Sequence, residues 1–375
     1  MTPPRHVLVC GAGVVGASVA YFLARRGVAV TVIERTGVAC AASGKSGGFL
    51  ALDWCDSTPV GPLARASFAL HARLAREIPA DYGYRRMDTY MLAARETGAA
   101  PGGHRVPAPR WIDGPAVVAG ALGTAETTAQ VHPARFTGAL LDAARAGGAA
   151  LRPGGVERVV TREGTACGVI VDGETVAADA VVLAMGPWTG RVAGVALPRI
   201  HGLKGYSVTL AAGDVPADAL FLDYRTADGR ALEPEIIPRP DGEVYVCGMA
   251  DLQPLPESAE GVEVSEAGCA TLARAAGRVS TALAAAPITR RQACYRPVTD
   301  DGLPVIGRVP DVRSAYVATG HGPWGMLNAP ATGLALAELI IEGKAATVDL
   351  RPFDPARLPA AAVYHGRTLN RPAPR

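Results

Sequence analysis

Lysine is almost missing from this 375-residue chain: Lys45, Lys204 and Lys344 are the only ones, while arginine and alanine abound. That bias reads as a GC-rich coding background and carries no functional signal. Aromatic residues make up only 5% of the chain, and none are interleaved with a basic run. With a net charge of +2, the sequence offers no general attraction to nucleic acid or to anionic membranes. Seven cysteines (Cys10, Cys40, Cys55, Cys167, Cys247, Cys269 and Cys294) are scattered, with no C-x-x-C pair. This excludes a disulfide framework or a cysteine zinc site and fits a reducing, cytoplasmic setting. The seven histidines show no pair at metal-ligand spacing on one helix, and no metal is expected. No catalytic triad, carboxylate pair or internal repeat is visible. The single membrane candidate is Val7 to Ala24, nearly uncharged and followed by a passable leader-cleavage pattern. Its three glycines in six residues suit a leader core poorly, so a soluble protein without a membrane partner is expected.

What is present begins at residue 6. His6 to Cys10 forms a short apolar run suited to a buried parallel strand. Gly11, Gly13 and Gly16 follow, with Val15 among them. Gly11 permits a tight turn, Gly13 lets the backbone approach a pyrophosphate, and Gly16 lets the next helix lie close to the strand. That helix, roughly Val14 to Arg26, points its dipole and free N–H groups at phosphate. Val28 to Ile33 reads as a second strand with Glu34 and Arg35 at its tip. An acid there suits the adenosine ribose of FAD or NAD and disfavours a 2′-phosphate, against which Arg35 weighs.

Further along, Pro62 to Ile78 reads as an amphipathic helix, Met87 to Ala93 as a strand and Gly98 to Pro109 as a loop. A helix at Phe136 to Ala146 and strands at Val156 to Val160, Ala166 to Val171 and Val181 to Ala184 follow. Tyr206 to Leu210, Glu235 to Pro238 and Val244 to Cys247 look like strands, and Glu266 to Ala285 like one helix. Ala315 to Thr319 reads as a strand before a helix at Ala331 to Ile341. Strands clustered between nucleotide-like units predict an α/β chain with a discontinuous, Rossmann-like cofactor domain (1–80, 130–200 and 295–375). A second, largely antiparallel β-sheet domain (81–129 and 201–294) is expected to take the substrate at the seam.

Beyond this pattern the chain resembles the D-amino-acid oxidase family of flavoproteins, nearest in motif to glycine and sarcosine oxidases. The resemblance runs from the glycine motif and Glu34 through Ala42-Ser-Gly-Lys-Ser-Gly-Gly48, Val131-His-Pro-Ala-Arg-Phe136 and Val181-Val-Leu-Ala-Met-Gly-Pro-Trp188. It continues through Lys204-Gly205 and Ile237-Pro-Arg239. Its most specific blocks are Cys294-Tyr-Arg-Pro-Val-Thr-Asp-Asp-Gly-Leu-Pro-Val-Ile-Gly307 and Gly320-His-Gly-Pro-Trp-Gly-Met-Leu-Asn-Ala-Pro-Ala-Thr-Gly333. It implies FAD, with Ala42, Ser43, Ser46, Gly47 and Gly48 along pyrophosphate and flavin ring, Val156 at the adenine, and Gly186 near the cofactor. It implies that Gly322, Trp324, Gly325 and Met326 face the flavin N1/C2 edge, where fixed donors favour the reduced ring. By residues alone, that loop reads first as an ordinary strand-to-helix turn.

The resemblance also makes Arg296 the clamp for a substrate carboxylate, whereas a lone arginine is commonly a surface or structural ion pair. A tyrosine expected before the Ile-Pro-Arg strand is replaced by Glu235. That acid either contacts a substrate amine, acting also as a base, or forms a structural pair with Arg296. Cys294 stands where sarcosine oxidases join flavin covalently; its alternative is inert packing. His321 and His132 are placed near the flavin by the same comparison, or serve structure. Pro323-Trp324 replaces an arginine of glycine oxidases, so amino-acid specificity does not carry over. The expected activity is FAD-dependent oxidation of a small amine or amino acid, with O₂ as final acceptor. A dehydrogenase with another acceptor and a non-catalytic flavin-binding scaffold are the rivals.

Overall fold

The computed structural model of the chain describes residues 3–102 and 106–361. The middle of the expected Gly98–Pro109 loop and the last fourteen residues lie outside that set. His6–Cys10 is buried beyond His6 because it is a central strand of a six-stranded sheet. The strand order is Val305–Arg308, Ala315–Thr319, Ala180–Leu183, His6–Cys10, Ala29–Glu34, Ala150–Pro153. Neighbours are parallel except at the Val305–Arg308 edge.

Among the described residues six helices accompany the sheets: α1 (Val14–Ala24), α2 (Gly61–Glu77), α3 (Pro133–Ala146), α4 (Glu266–Gly277), α5 (Thr281–Ala285) and α6 (Gly325–Glu342). The two-residue period of a strand divides the sheet's side chains between two layers. Val7, Val9, Val30 and Val32 pack under α1, α2, α3 and α6. Leu8, Cys10, Ile33 and Val181 face the other way, onto Val159, Val169 and Val171 of a three-stranded antiparallel sheet. Pro133 opens α3 at its first turn, where a missing N–H costs nothing.

The second large sheet runs Ile288–Val298, His201–Ala211, Glu243–Asp251, Glu235–Pro238, Asp218–Arg225, Asp88–Arg95, Ala116–Gly123. It is antiparallel except between Asp218–Arg225 and Asp88–Arg95. Helices α4 and α5 cover one face, with Leu272, Ala276 and Leu283 on Val208, Leu210 and Val246. The other face looks toward the parallel sheet.

Four expectations are corrected. The helix expected over Glu266–Ala285 is broken, because Gly277 ends α4 and Ser280 is extended at φ −148°, ψ 140°. The Ile288–Val298 strand crosses the boundary expected at 295, so Arg296 belongs to the antiparallel sheet. Helix α6 begins six residues before Ala331 and contains Pro330. Finally, Gly322–Glu342 is long and apolar enough to cross a membrane, contrary to the sequence expectation, yet 83% of its apolar window is buried inside the fold.

Pro330 survives inside α6 because α2 repairs the break. A proline has no N–H for the carbonyl four residues back, which is Met326. His71 Nε2 lies 3.0 Å from the Met326 carbonyl and 3.2 Å from that of Leu327. Carbonyls only accept, so Nε2 carries the proton. The Ala331 N–H, in turn, donates to Ser67 Oγ at 3.0 Å. Ser67 and His71 are one helical turn apart on α2, so one face of that helix splices the next. Burial pushes the His71 pKa down to about 4, keeping the ring neutral.

Candidate active site

A cavity of about 1040 Å³ runs between the two sheets. This is at the upper limit for a single small-ligand pocket, as expected for a dinucleotide plus a substrate. Its first end is built by the glycine turn. Gly11 has φ +107°, and a Cβ there would sit 2.5 Å from the Ala184 carbonyl oxygen. Gly13, Val15, Glu34, Arg35 and Val156 line this end. Gly16 does not: a Cβ on it would lie 2.0 Å from the Gly11 carbonyl oxygen, so its role is helix-to-turn packing. Placing Gly16 among cofactor contacts is therefore corrected.

Glu34 Oε2 accepts from Ala12 N–H at 2.8 Å, while Oε1 accepts from Thr36 and Gly37 N–H at 2.9 and 3.3 Å. A carboxylate has roughly four lone-pair sites, so one stays available for a ribose hydroxyl. Ser43 Oγ accepts the Val14 N–H at 2.9 Å, tying its loop to the α1 N-terminus.

Ala42, Ser43, Ser46, Gly47 and Gly48 line the middle of the cavity. The second sheet holds this loop by its backbone. Tyr245 Oη donates to the Lys45 carbonyl at 3.0 Å, Arg239 Nη2 to the Ser46 carbonyl at 3.1 Å, and Lys45 Nζ to the Ala293 carbonyl at 3.2 Å. Ser46 Oγ is buried without a partner among the described residues. Such an orphan is normally satisfied, and one on a cavity wall points to a bound polar group. Gly186 also lines the cavity, its carbonyl accepting from Thr319 Oγ1 at 2.8 Å.

At the far end Gly322, Trp324, Gly325 and Met326 line the wall where α6 begins. This N-terminus has no side-chain cap and no acid in its first turn. Its first N–H groups and positive dipole end suit an acceptor that gains negative charge. His321 lies here too, with Nε2 3.0 Å from Thr332 Oγ1 and its pKa pushed to about 4 by burial. His132 does not line the cavity; its Nδ1 caps α3 by accepting the Arg135 N–H at 3.4 Å.

The antiparallel sheet supplies the remaining side. Phe221, Glu235, Cys247 and Ser207 are successive cross-strand partners, and all four line the cavity. Two strands further from Cys247, Cys294 and Arg296 share the cavity-facing side of the edge strand. Glu235 accepts from Cys247 Sγ at 3.6 Å. Burial raises its pKa above the ordinary 4.5, more than the nearby Arg296 charge lowers it. The two are not an ion pair: among the described residues Arg296 has no carboxylate within 4.0 Å and no hydrogen-bond acceptor. The guanidinium lies over Gly205, where a Cβ would be 3.3 Å from Nη2. Burial also raises the Cys294 thiol pKa, against the lowering by Arg296 and Lys45.

Lys45, Tyr245, Arg239, Cys247 and the rings of Phe49, Trp54 and Phe221 were not singled out as site residues by the sequence. They come from separate elements, and only long-range register brings them together; the Lys45 and Arg239 motifs were the available signals.

A glycine turn under a ribose acid, an uncapped helix at the other end and a polar-studded sheet above define a dinucleotide-dependent redox protein of two-layered α/β build. The chain matches the family model described as FAD dependent oxidoreductase over residues 6–339, and it belongs to that family, with FAD as its cofactor. It is 32% identical to a Schizosaccharomyces pombe protein described provisionally as an oxidoreductase, covering 95% of this chain and 99% of that one. Identity to the glycine oxidase of Geobacillus kaustophilus is 29%, over 95% and 98% of the two chains. The solved glycine oxidase of that organism superposes with a TM-score of 0.74 at 25% identity, covering 95% and 99%.

Proposed function

We propose that this protein oxidises a small amine or amino acid, with O₂ as the final electron acceptor. The observation that carries this reading is that Arg296, without a carboxylate partner among the described residues, lines the same cavity as the half-buried Glu235 and the start of α6. Relatives described as glycine oxidase and 4-methylaminobutanoate oxidase act on such compounds and support the substrate class.

FAD, held by the Gly11–Gly13 turn, Glu34, the Ser43–Gly48 loop and the Gly322–Met326 turn, would supply the two-electron acceptor for the amine and pass those electrons to O₂, giving H₂O₂. Everything else is done by the chain. Arg296 offers two parallel donors to a carboxylate, which orients the adjacent carbon. Glu235, with its pKa raised, can take a proton from the substrate ammonium, since only the neutral amine can expel a hydride. The oxidised substrate is an imine, which water converts to a carbonyl compound and ammonia or an amine. The α6 N-terminus meets the negative charge that accompanies reduction. The neutral His321 adds no competing cation there.

The test is product accounting on purified protein in air with a panel of amino acids. The reading expects H₂O₂ and the carbonyl product in equal amounts. Carbonyl without peroxide, appearing only when a dye is added, would make it a dehydrogenase instead.

A further inference from the structure

We propose that the cavity contains a subsite for an aromatic substituent, formed by Phe49, Trp54, Phe221 and Trp324, so that arylalkyl amines or amino acids are preferred over glycine-sized ones. This rests on the amine-oxidation reading and names the substrate class of that same site.

The chain has only six phenylalanines and four tryptophans, and two of each meet here. Phe49, Trp54 and Phe221 are mutually packed, with ring centroids 5.0, 5.1 and 4.9 Å apart and interplanar angles of 54–66°. Trp324 stands edge-on to Trp54 at 6.1 Å and 87°. All four line the cavity, and none is fully buried. Four different places in the chain supply them: the Phe49–Ala51 strand, the turn after it, the Asp218–Arg225 strand and the turn into α6. No single element's amphipathic period produces such a group.

Position fixes the occupant. Phe221 is the cross-strand partner of Glu235, so the aromatic wall starts next to the acid that faces the reacting amine. Trp324 closes the short turn Gly322–Trp324, directly before the uncapped end of α6. A substrate the size of glycine, held between Arg296 and Glu235, would leave this wall uncovered. Covering it removes apolar surface from water, and rings tilted this way accept a further ring in edge-to-face contact.

The experiment uses the FAD-loaded protein with two readouts. First, anaerobic flavin reduction at subsaturating substrate is compared for glycine, phenylalanine (both enantiomers) and ornithine. A rate at least about tenfold higher for one phenylalanine enantiomer is expected. Phe221→Ala and Trp54→Ala should cut the phenylalanine rate by a larger factor than the glycine rate and so remove that advantage. Equal rates for glycine and phenylalanine, a faster reaction with ornithine, or equal losses for every substrate overturn the proposal. Second, phenylacetate and acetate are titrated without turnover, following the flavin absorbance. Phenylacetate should bind at least about tenfold tighter, and Phe221→Ala should erase the difference. That result supports the aromatic subsite even if no amine reduces the flavin, in which case only the parent reading fails. Equal affinity of the two acids overturns the subsite whatever the oxidation result.

Discussion

At the scale of single residues, the proposed chemistry rests on Arg296 and Glu235, which line one cavity without forming an ion pair among the described residues. In the proposed reaction Arg296 takes the carboxylate role, and lysine is no substitute, because its point charge cannot make two parallel bonds. Arg296→Lys should raise the apparent KM for an amino acid by about 10- to 100-fold, measured by steady-state peroxide formation. Glu235 has its pKa raised by burial, so between its ordinary and its folded value it binds its proton more firmly in the fold than in the unfolded chain. The stability it contributes is present below its ordinary value of 4.5 and is lost as pH rises through the elevated folded value. Glu235→Gln removes that loss, so unfolding at neutral pH should shift to higher denaturant while the acid limb of the flavin-reduction profile disappears. The half-buried Cys294 thiol on the cavity wall has its pKa raised, and covalent attachment requires a thiolate. Acid precipitation should therefore leave the yellow colour in the supernatant; colour fixed to the polypeptide would contradict this.

Among elements, the α2–α6 splice is the unusual device, for it keeps a proline-bearing helix aimed at the flavin end. Ser67→Ala leaves the buried Ala331 N–H without its partner, a cost of about 1–3 kcal/mol, measurable by urea unfolding. His71 contributes in a second way. Its pKa is depressed from 6.5 to about 4, so the stability it brings is present above 6.5 and is lost as pH falls toward 4. His71→Gln retains an N–H donor but cannot be protonated, and it should flatten that part of the acid-unfolding curve. A curve unchanged from the native protein would show that another group governs the transition. None of this was legible in sequence. Pro330 looked like a first-turn residue because a proline usually marks a helix start, and the compensating side chains lie more than 250 residues away.

For the whole molecule, legibility followed the distance over which each signal acts. The strand, glycine turn, helix and acid within residues 6–34 form one local unit and were read correctly, apart from the exclusion of Gly16 from the cavity. The C-terminal glycine loop was recognisable by motif, and it lines the same cavity as Glu34. What escaped was decided by pairing. The Asp218–Arg225 and Ala116–Gly123 strands were overlooked, and Ile288–Val298 was divided between domains, because their strand character depends on neighbours remote in sequence. The aromatic wall was invisible for the same reason. The Arg296–Glu235 relation was left as two alternatives, and register resolves the structural one: their strands are separated by two others in the sheet, and no ion pair closes between them.

The central claim is that the last part of the chain closes around a flavin whose adenosine half is held by the first 34 residues, leaving Arg296 and Glu235 to present an amine to it. Anaerobic mixing of the purified FAD-loaded protein with an amino-acid panel tests this most directly. The account predicts saturable bleaching of the flavin band by at least one member, weakened at least tenfold by Arg296→Lys at low substrate. A protein that binds no FAD, or whose flavin stays oxidised with every amine offered, would contradict it.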